Sequence, residues 1–565
     1  IKAFDSPEEI SQSYEYIYDL VNEVSTIIGE KLNIIHKKNY KSEYWKVMLG
    51  IWLLNYISML YDRYTRIKKV IKSIKEPTIT NTDRDFSQYE FINGIQFFET
   101  ASIDKEFNQF IYVQISKHLN IKVINNNKRN NVLERSLILN KVSSDINVPG
   151  KHMGNPIFTN IKNIFKYVYS FIKKVEEKIF SNRSEIIFYH SYLPLKSSFL
   201  LSIMSFYKIY ELNLRRMKSY NFKKLIKNNN DRSYISKYDK DNDEFKNLVF
   251  KMMPLCIPKS FIENYKDIIN YSNQAYKNLK PKIIFSPNAW SYDYAFIHWA
   301  MNCKFEGSKI VSGTHANGGP ACLKRYKILV DFEKSLANYY IDAGRYYLND
   351  NKIKNLTSGI LLKSRGRKRR PQDQILYVGT ADPLYPIGVL EDFNSYINNT
   401  MQILRALPKE IQSKILFRSH YEDTGWGLNE KISRNFPGMK YSMWNKKFHD
   451  EIFSSKLCIY GYISTTCHES LALNIPSIIF LDKGQYLLNE ECKEDFESLK
   501  NVGILHDDPI KLANWLKLNY YQIDKWWYSR ECQRTINQFN FKYMHIEKKP
   551  YIEWKNVFQS ILNDS

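Results

Sequence analysis

Apolar residues recur at three- and four-residue spacing through residues 8–32 and 42–74, the mark of two long amphipathic helices, and Pro77 closes the second. The most apolar stretch, residues 47–61, is shorter than the ~20 residues a bilayer requires and carries Asn55. With Trp45, Trp52, Tyr56 and Leu60 at helical spacing and Asp62-Arg63 returning to water, it reads as a buried helix. Residues 1 to about 120 are therefore expected to be mainly helical. Residues 125–160 are rich in Asn, Lys and Ser and predict an irregular excursion, after which residues 161–180 resume a helical pattern.

From Glu185 the period changes. Short apolar runs at 186–189, 282–285 and 309–311 alternate with helical stretches, and each stops at a polar or Gly/Pro loop. Runs without strict alternation suit strands covered on both faces, hence a parallel sheet in an α/β unit. A second series begins at 374–380. It continues with a helix at 394–407, a strand at 414–417, a helix at 446–453, a strand at 456–460, a helix at 469–473 and a strand at 477–481. Between the two series, residues 363–371 are strongly basic and self-repelling, which predicts an exposed linker. The expected organisation is a helical plus Rossmann-like unit over 1–330, a basic linker over 331–371, a second Rossmann-like unit over 372–540, and a C-terminal helix over 541–565 that crosses back.

Composition narrows the class. A chain of 565 residues with 44% hydrophobic side chains buries large cores. Lys plus Arg number 82 against 59 acidic residues, a formal charge of +23, which favours partners carrying phosphate or carboxylate. The basic residues are scattered and lack aromatic interleaving, so no specific nucleic acid is expected. Seven cysteines without C-x-x-C spacing argue against a disulfide framework or zinc site and for a reducing cytoplasm. No secretion-signal pattern follows Ile1.

Three segments could carry chemistry. In residues 456–480, a strand, a hydroxyl-rich turn, a short helix and another strand follow in turn, so the turn lies at a sheet's carboxyl edge, where open α/β sheets bind ligands. The amides of the helix start, with the hydroxyls of Ser464, Thr465 and Thr466, suit a phosphate; the same pattern also reads as a capping box from Thr466 to Glu469. Glu469 would repel a phosphate beside it, so as a ligand contact it would take ribose hydroxyls or a base, with Ser470 next to it. At 414–426, Arg418 and His420 lie two apart at a strand end and point to one side. There they could neutralise and protonate a leaving phosphate, or Arg418 could pair with Glu422 or Asp423. At 308–320, a strand runs into a loop carrying His315, Asn317, Gly318 and Gly319, where glycine lets backbone approach a ligand. Gly379 and Thr380 hold a similar position with one glycine. Asp83-Arg84-Asp85 and Asp241-Asn242-Asp243 sit among charged residues and read as solvated loops, so no metal is expected.

These residues resemble a family. Two sequential Rossmann-like units, the strand-Arg-Ser-His segment at 418–420 and the Ile-Ser-Thr-Thr-x-x-Glu-Ser-Leu-Ala-Leu-Asn-Ile-Pro segment at 463–476 resemble the C-terminal half of GT-B glycosyltransferases. Among these they resemble bacterial surface-polysaccharide enzymes, capsule and Kdo transferases using CMP-activated sugars. In those a His-Pro and a Ser/Thr motif hold the CMP phosphate; His420, Ser464, Thr465 and Thr466 occupy those places, with Tyr421 where the family has proline. Most of the chain is also similar to a further family of bacterial transferases along residues 43–53, 60–64, 314–319, 423–426, 501–509 and Trp526-Trp527. The 314–319 loop and the Arg-x-His segment are similar as well to CDP-glycerol-type polyol-phosphate transferases.

The resemblance implies an α/β GT-B fold: two Rossmann-like domains facing a cleft, with a helical N-terminal elaboration. It implies a cytoplasmic, metal-independent enzyme, at most peripheral to an anionic membrane, that moves a sugar from a nucleotide-activated donor to a glycan, lipid-linked or protein acceptor. His420, Asp423, His315 and Glu422 are the catalytic candidates. Arg418, Ser464, Thr465, Thr466, Glu469, Ser470, Gly379 and Thr380 are the donor-binding candidates, and Asn317, Gly318 and Gly319 the acceptor-side loop. The competing expectations are transfer of a polyol phosphate from a CDP donor, with His315 deprotonating the acceptor, and a non-catalytic basic scaffold.

Overall fold

The computed structural model describes residues 2–82, 89–126, 175–177, 179–212, 226–239, 241–314, 322–345, 350–362, 366–388, 393–420, 424–444, 446–482, 487–544, 546–547 and 549–564. Two long helices open it: α1 (Pro7–His36) and α2 (Ser42–Ser73). Trp45, Trp52, Tyr56 and Leu60 are buried, as the helical spacing predicts, but Asp62 and Arg63, expected to return the chain to water, are buried as an ion pair. Ser6 caps α1 by accepting the Glu9 amide, and Pro7 occupies the first turn, where its missing N–H costs nothing. Helices α3 (Gly94–Ile103) and α4 (Lys105–His118) pack against α2. A parallel pair, β1 (Thr78–Thr82) and β2 (Lys122–Asn126), adds strands that the helical pattern concealed.

The first large sheet is wholly parallel. Its strands are β3 (Ile186–Tyr189), β4 (Ile209–Leu212), β5 (Ile283–Phe285), β6 (Lys309–Gly313), β7 (Tyr339–Asp342) and β8 (Ile353–Asn355), in spatial order β4-β3-β5-β6-β7-β8. Ile187 and Tyr189 enter the large core shared with α1 and α2, while Ile186 and Phe188 enter the opposite core. Both faces are covered, and so the runs lack a polar alternation. On one side helix α5 (Lys324–Leu336) presses Phe332 onto α2 at Gly50, where an added Cβ would lie 1.9 Å from the ring. Residues 331–362 are thus not the expected linker. They carry the C-terminal end of α5 together with β7 and β8, strands too short and too mixed with charge to register as apolar runs.

The second sheet is also parallel: β9 (Gln372–Val378), β10 (Ile415–Arg418), β11 (Lys440–Tyr441), β12 (Ser455–Tyr460), β13 (Ser477–Phe480) and β14 (Leu505–His506), in order β11-β10-β9-β12-β13-β14. Counted along this unit the order is 3-2-1-4-5-6, the doubly wound Rossmann arrangement. Helices α6 (Phe393–Ala406), α7 (Phe448–Ser454), α8 (Thr465–Ala472) and α9 (Arg530–Tyr543) cover it, and Ile375 and Tyr377 face one core while Leu376 and Val378 face the other. The last helix, α10 (Pro550–Asn563), leaves this unit and lays Trp554, Phe558 and Ile561 into the outer core of the first sheet.

The carboxyl edges of the two sheets meet. Leu323, beyond the end of β6, pairs with Leu488, beyond the end of β13, and the Lys324 amide donates to Leu487 O at 2.9 Å. Arg325 at the start of α5 grips the Asp382 carboxylate, beyond the end of β9, with two nitrogens at 2.9 and 3.3 Å. The loop after β9 is held a second time by the helical region. The Tyr385 amide donates to Ser102 O at 3.0 Å, and the fully buried Arg63 donates to Pro386 O, Ala101 O and Asn108 beside its neighbour Asp62. Two Rossmann-like units with opposed carboxyl edges and a helical elaboration form the GT-B architecture.

Phe558 is wholly buried in the outer core of the first sheet. Phe558→Ala should cost about 3–5 kcal/mol through a cavity in that core. Denaturant unfolding would check it, and a loss under about 1 kcal/mol would mean that α10 is not integral to the first unit.

Candidate functional site

In the second sheet the strand order reverses between β9 and β12, so the loops leaving their carboxyl ends turn to opposite faces and open a crevice. Tyr396 from α6 forms its floor. The Thr380 amide donates to the Tyr396 hydroxyl at 3.1 Å, and a Cβ on Gly461 or Gly379 would stand 2.8 Å from the Tyr396 ring or 3.2 Å from its hydroxyl. The ring leaves no room for a side chain at Gly461, and at Gly379 a Cβ would crowd the Tyr396 hydroxyl and the Phe417 ring, which explains Gly379 by packing. Gly461 was not singled out in the sequence, although it follows a strand end as Gly379 does.

Helix α8 starts at this crevice. Its N-cap is Ser464, in extended conformation and with no side-chain cap hydrogen bond; the Ser464 hydroxyl pairs with the Thr466 hydroxyl at 2.7 Å instead. The capping box expected from Thr466 to Glu469 does not form, because the helix begins two residues earlier. The first-turn amides are left without a side-chain acceptor, and the hydroxyls of Ser464, Thr465 and Thr466 stand half-buried around them. A helix start in this state carries partial positive charge and free donor geometry for an anion.

One turn on, Glu469 is buried and accepts from His449 Nε2 at 2.9 Å. Ser470 is a correction: it is fully buried and bonds the Tyr460 hydroxyl under the sheet, because the next 100° around the helix turns it inward. Arg418 is a second. Its guanidinium is buried, pairs with Glu451 at 2.5 Å, donates to Ser442 Oγ at 3.1 Å, and lies 3.8 Å over the Trp444 ring. Its ion-pair partner is Glu451 on α7, where the sequence reading offered Glu422 or Asp423. His449 and Glu451 share α7, so that one short helix ties Arg418 at the end of β10 to Glu469 on α8. Backbone closes the set, with Gly379 N–H donating to Arg418 O at 2.8 Å and Gly461 N–H to Val378 O at 3.2 Å. His420, two residues past Arg418, is half-buried at the same edge. His315, Asn317, Gly318, Gly319, Glu422 and Asp423 lie outside the described residues.

The first sheet has its own reversal, between β3 and β5, and a cluster absent from the sequence reading sits there. His190 and Tyr192 both adopt left-handed backbone, φ 60° and 62°, a strained state for bulky side chains. Their rings stack at 5.3 Å. His190 Nδ1 bonds the Tyr292 hydroxyl, Asn288 Nδ2 donates to the Tyr192 hydroxyl, and Ser191 donates through amide and hydroxyl to Glu211 at 3.1 and 2.7 Å. No sequence signal marks it beyond the strand end at Tyr189.

Among the described residues no group of three or more His, Cys, Asp or Glu side chains is placed to hold a metal. Asp243 caps the helix that follows it, and Asp241 is held down to about 2 by hydrogen bonds from Lys246 and Tyr238, so this pair is committed within its loop. Asp83-Arg84-Asp85 lies outside the described residues. No helix among the described residues is long and apolar enough to cross a membrane.

The chain belongs to the LIC12162 transferase family. The pattern of the LIC12162 family transferase matches residues 2–558. No curated protein matches the chain. Among solved structures, S. aureus MnaA with UDP is similar over 67% of this LIC12162 family transferase and 97% of its own chain, at 10% identity and a TM-score of 0.37. CalG4, the calicheamicin glycosyltransferase, is similar over 68% and 99%, at 12% identity and 0.32. Acinetobacter baumannii MurG is similar over 52% and 79%, at 10% identity and 0.31.

Behind the site, burial pushes His468 down to about 4 from the ordinary 6.5, so the transferase folds around a neutral imidazole. Between those values the unfolded chain binds a proton that the folded chain refuses. Stability therefore falls as pH drops through the window, by about 3 kcal/mol at most for this group. His468→Gln should flatten the loss of denaturation midpoint between pH 7 and 4.5, and parallel wild-type and variant curves would show that His468 does not titrate there. His298, lowered likewise to about 4 by burial, leaves a residual slope.

Proposed function

We propose that this transferase moves a sugar from a nucleotide donor, in the first instance a CMP-activated ulosonic acid, to a bacterial surface glycan or glycoprotein. The observation that carries the reading is the helix start at Ser464. It lies at the strand-order reversal, has no side-chain cap, and is followed one turn later by a carboxylate that His449 fixes.

The donor phosphate would sit against the α8 amides and the Ser464, Thr465 and Thr466 hydroxyls. Glu469 would accept from ribose hydroxyls, because a phosphate at that place would be repelled. As the glycosidic bond breaks, negative charge grows on the leaving phosphate. The helix start stabilises it and His420 supplies a proton, so that no metal is required. Arg418 supports this from behind: neutralising Glu451, it keeps α7 and therefore His449 in place. The acceptor would lie against the other carboxyl edge, at His190, Tyr192 and Tyr292, with the 315–319 loop, Glu422 and Asp423 as further candidates. A lipid-linked acceptor would bring the chain to an anionic membrane surface, which a formal charge of +23 suits.

Calorimetric titration with CMP tests the donor site. Glu469→Gln should weaken binding by about 10- to 100-fold, the worth of hydrogen bonds to a charged group, and unchanged affinity would remove Glu469 from the ribose. His420→Ala should lower kcat by ~10² or more, and equal turnover would remove His420 from the reaction. Activity should persist in EDTA. Mass spectrometry should find the acceptor heavier by a sugar alone; a gain that includes phosphate would instead establish polyol-phosphate transfer.

A further inference from the structure

On the free edge of β14, away from the β9–β12 crevice, lies a cavity of about 500 Å³, within the ~300–1,000 Å³ of small-molecule sites. Two half-buried tryptophans wall it. Trp515 and Trp526 stand with ring centroids 4.6 Å apart and planes at 70°, so that they form a corner and not a parallel slot. Both are fixed. Trp526 Nε1 donates to Val502 O at 2.7 Å, and the His506 ring packs edge-on to Trp515 while its Nε2 contacts Gly503 O at 3.1 Å. Gly503 has φ +78°, and a Cβ there would come within 3.0 Å of Trp515 Nε1. The glycine thus keeps the indole N–H open, and among the described residues that N–H has no hydrogen-bond partner.

The rim is charged but balanced: Lys500 and Lys511 face Asp507 and Glu531, with Lys500 and Asp507 paired at 2.8 Å. Merely covering an edge strand would be served by buried aliphatic side chains. Here the aromatics remain partly open and are ringed by hydrogen-bonding groups of both signs.

From this chemistry we infer that the cavity is a saccharide-binding site for a neutral sugar of the acceptor glycan, remote from the point of transfer. A pyranose presents one apolar C–H face, which an indole covers, and equatorial hydroxyls at its edge, which carboxylates accept and ammonium groups donate to. A planar base would need two parallel walls, and the indoles are not parallel. A phosphate would need surplus positive charge, and two carboxylates cancel it. β14 is two strands from β12, roughly 10 Å across the sheet, near enough for one short oligosaccharide to reach both places. The acceptor role rests on the transferase reading above; the saccharide chemistry does not.

The test uses the full chain, titrated with maltotriose, lactose and N,N′-diacetylchitotriose and followed by tryptophan fluorescence and calorimetry. At least one neutral sugar should bind at or below about 10 mM. Trp515→Ala should weaken that binding about tenfold or more and leave CMP affinity unchanged. Because Trp515 also packs on the second core, Lys511→Met and Glu531→Gln on the exposed rim provide the independent check, each expected to weaken the sugar several-fold. No binding by any of the three sugars, or binding unchanged in the rim variants, overturns the site. Sugar binding that depends on the rim in a chain that ignores CMP and other nucleotides would uphold the cavity and refute the donor reading instead.

Discussion

In an all-parallel sheet every strand ends on the same edge, and this directional constraint organises the molecule. Carboxyl ends collect the loops, and where the winding reverses, two adjacent loops part and leave a gap that the backbone cannot close. The β9–β12 gap is lined by what such a place offers: strand-end amides, a glycine on either side of Tyr396, and the start of α8 with its donors aimed outward. The first sheet repeats the geometry at β3 and β5 with a different chemistry, stacked aromatics and an imidazole. Each reversal thus gathers its own chemistry, donor-rich in the second sheet and aromatic in the first.

Opposition of the edges is maintained by charge as well as by covalent continuity. Asp382 and Arg325 are both largely shielded from water, and a buried ion repays its desolvation only through a well-placed partner. Arg63 carries the same obligation more acutely. It is buried completely, burial lowers its pKa against the support of Asp62, and it spends its donors on α3, on α4 and on the loop after β9. The helical elaboration therefore bears on one wall of the crevice directly.

Much of this organisation was legible in the residues, and the reasons differ by element. Strands covered on both faces announce themselves as uninterrupted apolar runs, and β3, β9, β12 and β13 were readable for that cause. β7 and β8 were not, since a strand of three or four residues with Lys, Asp and Asn in it lacks the length to form a pattern. At the site, the local sequence displayed the hydroxyl-rich turn and Glu469. What it could not display was pairing across distance. Arg418 finds Glu451 33 positions on, and Glu469 finds His449 on a different helix, so that α7, unremarkable as a string, proves to be the piece joining two others. Ser470 failed for a simpler reason: adjacency in sequence is a 100° rotation on a helix.

Helix α10 draws a last consequence for biosynthesis. Trp554, Phe558 and Ile561 complete the outer face of a sheet whose strands, Ile186 to Asn355, were all translated well before them. During synthesis that face emerges from the ribosome incomplete and apolar, and it stays so while the whole second unit is made. The order of events is therefore inverted: the first unit finishes folding after the second has been made, and a nascent chain must shield its exposed strands until α10 emerges.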